Sequence, residues 1–227
     1  MIYLAFLFFG GLIGTMSWYY CANFFSGLKQ MIYQNAAELF AQIPLISPEN
    51  TDFDAQNRSV FRKNFLVVWL TFPLLALVLP SDFALWAGLS FALISTISTL
   101  DWQYQLISPT PCLLLFFSGL FGADWQFSAL NLHESLQSAV IFFATFYSIY
   151  YAAKMIYHKE AFGRGDYWLA LGLGAFLPLS NLPHFLLLSS LFGIAFALVT
   201  RRTNVALPFA PFMSLAAIVI FAVNMIN

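Results

Sequence analysis

Two aspartates, Asp101 and Asp166, are the residues of this chain whose type and setting best suit them to chemistry. Asp166 closes the tetrapeptide Gly163-Arg164-Gly165-Asp166 at the mouth of an apolar run from Tyr167 to about Ser180. Asp101 closes another apolar run, ending Ser95-Thr96-Ile97-Ser98-Thr99-Leu100-Asp101. A carboxylate at the edge of hydrocarbon is costly and needs a partner or a task. Two carboxylates sharing one proton can hydrolyse an amide without a metal or a nucleophilic side chain. The ionised one takes a proton from water while the protonated one polarises the carbonyl. Close, desolvated like charges force their pKa values apart, so such a pair titrates as a unit. The glycines flanking Arg164 lack a Cβ, which lets backbone or an extended peptide come near. Arg164 either steers Asp166 or is simply an arginine on the inner face.

Each aspartate also has a plain structural reading as an interfacial helix end. Asp166 suits a helix N-terminus through the helix dipole, whereas Asp101 at a C-terminus is disfavoured, which argues for function at Asp101. No other group competes. Cys21 and Cys112 lie in apolar runs and read as buried thiols, and His133, His158 and His184 are scattered, so no metal site and no cofactor are expected.

The elements that must position the aspartates read as membrane spans. The chain is 61% hydrophobic and 8% charged over 227 residues, against about 25% charged in soluble domains. An all-α polytopic bundle in a lipid bilayer is therefore expected, as one domain over residues 1–227, with no nucleic-acid partner. Eight spans are predicted: Ile2–Phe25, Asn64–Leu79, Phe83–Leu100, Thr110–Ala123, Ser135–Tyr157, Tyr167–Ser180, Leu182–Thr200 and Pro208–Met225. Met1 to Phe9 carries no Lys or Arg, so the start reads as a first span and not as a cleaved signal. With eight spans all 9 basic residues fall on one side, which makes that side cytoplasmic and both termini extracytoplasmic. Both aspartates then sit at the cytoplasmic face, in the loops 101–109 and 158–167.

The first cytoplasmic loop, Ser26–Lys63, begins with apolar residues at helical spacing from Leu28 to Ile43. It reads as an amphipathic helix on the membrane surface, ended by Pro44 and Pro48 and followed by a polar loop Glu49–Asn57. Spans four and six, at about 14 residues and ~21 Å, fall short of the ~30 Å hydrocarbon core. A wet recess beside the aspartates is the expected result. Small residues at four-residue spacing (Ala170/Gly174, Ser189/Gly193, Gly193/Ala197) and Gly10, Gly11 and Gly14 mark helix contacts.

An Asp closing one helix, a G-x-G-D opening a later one, and the run Leu207-Pro208-Phe209-Ala210-Pro211-Phe212 opening the last span together resemble the type IV prepilin peptidase family. These are the G-x-G-D membrane aspartyl proteases. The last run is similar to the family's Pro-Phe-Gly-Pro segment, with Ala210 in place of the glycine. Asp101-Trp102-Gln103-Tyr104-Gln105-Leu106-Ile107 looks closest to pasteurellacean members. The resemblance covers span three to the end of the chain. It implies a bacterial inner-membrane endopeptidase serving type IV pili, type II secretion or competence. Such an enzyme cuts the short basic leader from prepilins or pseudopilins on the cytoplasmic side of their hydrophobic helix. Asp101 and Asp166 would be the catalytic pair, with Gly163, Arg164, Gly165, Pro208, Phe209 and Pro211 as motif or substrate-binding residues.

Three departures stand out. Members with two activities carry paired Cys-x-x-Cys motifs that bind zinc, and Ser26–Lys63 has no cysteine, which puts N-methylation of the product in question. The usual Pro-Asp after the first aspartate is Ser108-Pro109, and Trp168 stands where a basic residue often follows the second. Two other classes stay open. A transporter would show ionisable residues deep within spans, whereas here they lie at helix ends. A non-catalytic assembly scaffold would tolerate Asn at 101 or 166.

Overall fold

The computed structural model describes residues 2–39, 53–157, 163–201 and 207–226, and among them the only regular structure is helical. The elements are α1 (Ile2–Leu39), α2 (Phe53–Val78), α3 (Ser81–Tyr104), α4 (Pro109–Asp124), α5 (Leu132–Tyr157), α6 (Asp166–Gly174), α7 (Leu182–Thr200) and α8 (Ala210–Ile226), with a short 3-10 turn at Leu179–Asn181. Five segments are long and apolar enough to cross a membrane: within α1, within α2, α3, α5, and α7 with its preceding turn. Helices α4, α6 and α8 are shorter, at 16, 9 and 17 residues. The chain falls into two compact units, Met1–Val78 and Leu79–Asn227.

In the first unit α1 lies along α2. Gly10 and Gly14 have no Cβ to hold the helices apart: a Cβ at Gly10 would lie 2.8 Å from the Trp69 carbonyl oxygen. The buried Asn64 amide donates to the Ser17 hydroxyl at 2.9 Å, and the Trp69 indole N–H donates to the Leu7 carbonyl at 3.0 Å. The expected break between a first span and a separate surface helix is absent, because α1 runs unbroken from Ile2 to Leu39. Lys29, Gln30 and Gln34 change the polarity of the helix without interrupting it, since none of them is a helix breaker. Residues Phe53–Asn57, expected in a polar loop, already belong to α2. The segment from Phe40 to Asp52, with the prolines expected to end the surface helix, lies outside the described residues.

The second unit is organised around α6. Leu169, Ala170 and Leu173 are buried among Cys112 and Leu115 of α4, Phe142 and Phe146 of α5, and Met213 of α8. In lipid such burial gains close packing and not transfer out of water, so the fit of these side chains is what holds the helices together. Gly174 lets α5 close on α6, because a Cβ there would meet Phe142 Cβ at 2.7 Å and Ala139 Cα at 3.0 Å. On α4, Gly122 accepts the flat face of Trp86, whose indole N–H donates to the Ser118 carbonyl at 2.8 Å.

The sequence predicts one apolar helix from Tyr167 to Ser180, but α6 stops at Gly174. Its 9 residues rise only ~14 Å, too short to span. Pro178 cannot continue the helix, and the carbonyls freed by the break need donors inside an apolar bundle. The buried hydroxyls of Ser135 and Ser138 on α5 supply them, donating to the Ala175 carbonyl at 2.6 Å and the Leu177 carbonyl at 2.5 Å. Ser135→Ala or Ser138→Ala strands one buried carbonyl and is expected to cost about 1–3 kcal/mol. Thermal unfolding in detergent checks this. The comparison is Thr145→Ala, whose hydroxyl only serves the Ile141 carbonyl of its own helix.

Candidate active site

Asp101 lies one turn before the end of α3. The helix stops because Gln105 turns left-handed, at φ 52°, and donates its N–H to the Asp101 carbonyl at 2.9 Å. Leu106–Ser108 then lead into α4, whose first residue is Pro109, where the missing N–H costs nothing. The Asp101 carboxylate reaches across to α8. Its Oδ2 accepts the Ala210 N–H at 2.9 Å, with the Phe209 backbone also hydrogen-bonded to it. One turn further in, the Ser98 hydroxyl donates to Ser214 at 3.1 Å, so α3 and α8 are pinned at two successive levels.

The run Leu207-Pro208-Phe209-Ala210-Pro211 therefore works as a helix start. Pro211 occupies the second position of α8, where no helical N–H partner is lost, and the free Ala210 N–H is aimed at Asp101. Helix N-termini favour negative charge, so α8 offsets the unfavourable placing of Asp101 near the C-terminus of α3. The dipole argument for function at Asp101 loses its force here, because the carboxylate has a structural partner.

Asp166 is the first residue of α6 and closes a reciprocal turn. Its N–H donates to the Gly163 carbonyl at 3.1 Å, and its Oδ2 accepts the Gly163 N–H at 2.9 Å. The two glycines have different work. A Cβ on Gly163 would meet nothing closer than Asp166 Oδ2 at 3.6 Å. A Cβ on Gly165 would lie 2.2 Å from Ile107 Cβ and 3.1 Å from Ile107 Cα. Gly165 is thus where the loop carrying Asp166 rests on the loop following Asp101. Close approach of backbone was expected at these glycines, and it falls at the second of them, against the chain's own Ile107.

Both carboxylates face one cavity of about 960 Å³. Its walls come from the end of α3 and the Gln105–Ile107 loop, from Gly163–Trp168, from Leu207, Phe209 and Phe212, and from one side of α7. The expected recess is present, but the aspartates are its floor and not freely wetted: Asp101 is 5% exposed and Asp166 4%. Asp166 is the first residue of α6, ahead of the apolar part of that helix. Burial first, and then the negative charge of Asp101, push it up to about 7, against the lowering effect of the Gly163 N–H. Both residues line the same cavity, where a like charge on one disfavours ionisation of the other.

Arg164 is exposed at the rim, and Trp168 lines the wall, edge-on to Phe143 at 5.4 Å between ring centroids. Trp102 lies outside the lining, edge-on to Phe196 at 5.3 Å. Pro208 and Pro211 also lie outside it and act through the start of α8. His158 and Phe162 are outside the described residues. Among the described residues no group of three or more His, Cys, Asp or Glu could hold a metal. Sequence reasoning missed Ile107, the Ala210 N–H and the α7 wall. Only Ala210 left a signal, in the Pro-x-x-Pro framing of a helix start.

Fold and site together define a multi-pass helical membrane protein built around two carboxylates that line one cavity. The chain belongs to the type IV leader peptidase family, whose pattern it matches over residues 86–198. It is 47% identical over 226 residues to the prepilin leader peptidase/N-methyltransferase of Haemophilus influenzae, covering 99% of this chain and 98% of that protein. It is 32% identical over 154 residues to the type 4 prepilin-like proteins leader peptide-processing enzyme of Escherichia coli O78:H11, covering 67% of this chain and 57% of that protein. The prepilin leader peptidase/N-methyltransferase of Escherichia coli K12 is 32% identical over 136 residues, covering 58% of this chain and 60% of that protein. No solved structure matches the chain.

Proposed function

We propose that the chain is an aspartic endopeptidase of the bacterial inner membrane, and that Asp101 and Asp166 are its catalytic pair. It removes the short basic leader from prepilins or pseudopilins at the cytoplasmic face. The observation that carries this reading is that two buried carboxylates share one cavity, each held by a backbone N–H from a different loop. The basic residues next to the site in sequence, Lys154, Lys159 and Arg164, support the cytoplasmic side.

Asp166 holds the shared proton and donates it to the scissile carbonyl oxygen. Asp101, hydrogen-bonded at the N-terminus of α8, takes a proton from water as the hydroxyl adds to the carbonyl carbon. The resulting gem-diol collapses when Asp101 passes its proton to the amide nitrogen and the C–N bond breaks. One diol proton returns to Asp166, which restores the starting state. Arg164, Gly165 and the Phe209 region bound the space an extended peptide occupies. Methyl transfer is not part of this proposal, because Ser26–Lys63 contains no cysteine for a zinc site of the Cys-x-x-Cys kind.

A pH dependence follows. Asp166 is raised to about 7, so below that pH the pair keeps its one proton, and above it both carboxylates ionise and the acid is lost. Activity is expected to fall as pH rises through about 7, and to fall again at lower pH once the second carboxylate is protonated. kcat/KM against pH, with purified protein and a basic-leader prepilin in detergent, checks this. Activity climbing steadily to pH 9 would rule out a shared-proton pair.

A further inference from the structure

Helix α7 is the most apolar of the candidate spans, with mean hydropathy 2.0, yet only 11% of it is buried, against 50% for α3. It packs along α8 and the 3-10 turn, burying just Phe185, Ser189 and Gly193. A further side of it, Ser190, Gly193, Ile194 and Ala197, is a wall of the cavity that holds the two aspartates. These residues recur at helical spacing over two turns, about 10 Å of helix.

Gly193, like Gly163, differs from the glycines at which helices and loops of this unit close on one another. A Cβ at Gly193 would meet Phe212 at 3.6 Å and Phe209 at 3.7 Å, ordinary contacts, whereas at Gly119, Gly122, Gly165 and Gly174 it would overlap a neighbour. The chain's own packing does not require a glycine at 193.

We propose that this side of α7 receives the apolar helix that follows the scissile bond of the substrate, a proposal that rests on the leader-peptidase reading above. Chain continuity carries it. A peptide bond held at Asp101 and Asp166 has its next residues within the same cavity, and α7 is the wall that continues as an uncharged, apolar helix face. A wall of Ser190, Gly193 and Ala197 lets a second helix backbone approach closely in lipid, which acyl chains do not need.

The test uses full-length protein carrying Asp166→Asn to hold uncut prepilin, with a photo-crosslinking amino acid at Ile194 or, as comparison, at the exposed Val199 on the other side of α7. The expected result is an adduct from position 194 that maps within the prepilin's apolar helix, at least about tenfold stronger than from position 199. Adducts to lipid alone, to a second copy of the chain, or equally from both positions overturn the proposal.

A second measurement uses Gly193→Ala, whose added methyl meets Phe209 and Phe212 at ordinary contact distance and thickens this wall. The ratio of kcat/KM for full prepilin to kcat/KM for a short leader peptide lacking the helix is expected to drop about tenfold, since binding energy from remote parts of a substrate is spent at the reacting centre. An unchanged ratio overturns the proposal. Wild-type protein that cleaves neither substrate overturns the leader-peptidase reading itself, and this proposal with it.

Discussion

Asp166→Asn is expected to slow leader removal by about a thousandfold or more while leaving the protein folded. The amide replaces the carboxylate almost atom for atom, and its Oδ1 can still accept the Gly163 N–H that closes the turn. What it cannot do is give up and regain the proton that the proposed mechanism assigns to Asp166. Asp101→Asn follows the same logic, since an amide oxygen still accepts the Ala210 N–H while the proposed base is gone. Alanine at 101 adds a structural loss, because the start of α8 then lacks its acceptor, at about 1 kcal/mol. Single-turnover cleavage of a prepilin, with thermal unfolding of each variant alongside, separates lost chemistry from lost fold. A loss of rate that tracked the loss of stability would assign both aspartates to structure.

The second large effect is expected at Gly165. A Cβ 2.2 Å from Ile107 Cβ cannot be accommodated, and the loop carrying Asp166 must move away from the loop that follows Asp101. Displacing a catalytic group by ~1 Å costs on the order of a hundredfold in rate, and Gly165→Ala is expected to lose at least that. Gly163→Ala, with its Cβ in ordinary contact, is expected to lose far less. Removing the opposing Cβ with Ile107→Gly is expected to recover part of the activity of Gly165→Ala. The kcat of the four proteins on one prepilin checks the sequence of effects. Equal losses at the two glycines would mean that both act through the substrate and not through Ile107.

Much of this arrangement was legible in the chain because it rests on residue type. Helix α7 is read at Leu182–Thr200 and found there, since an unbroken apolar run is framed by Pro183 near its start and Arg201 at its end. Helix α6 is overread because Ala175–Leu177 continue the apolar run. Hydropathy reports surroundings, whereas the helix ends where Pro178 and the serine hydroxyls of α5 take over the backbone. The reverse error occurs at α1, where polarity changes after Phe25 but the helix does not. Hydropathy marks the edge of a membrane, not the end of a helix.

The site shows the same division. Asp101, Asp166 and the glycines declare themselves by type. Their partners do not, because an Ala210 N–H, an Ile107 Cβ and a left-handed Gln105 depend on packing between segments distant in sequence.

The central claim, that Asp101 and Asp166 together cut a leader peptide, is tested most directly by the intact mass of a basic-leader prepilin co-expressed with the wild-type protein, Asp101→Asn or Asp166→Asn. The account predicts loss of the leader with the wild-type protein and an intact leader with each variant. A prepilin that loses its leader beside either variant would contradict it.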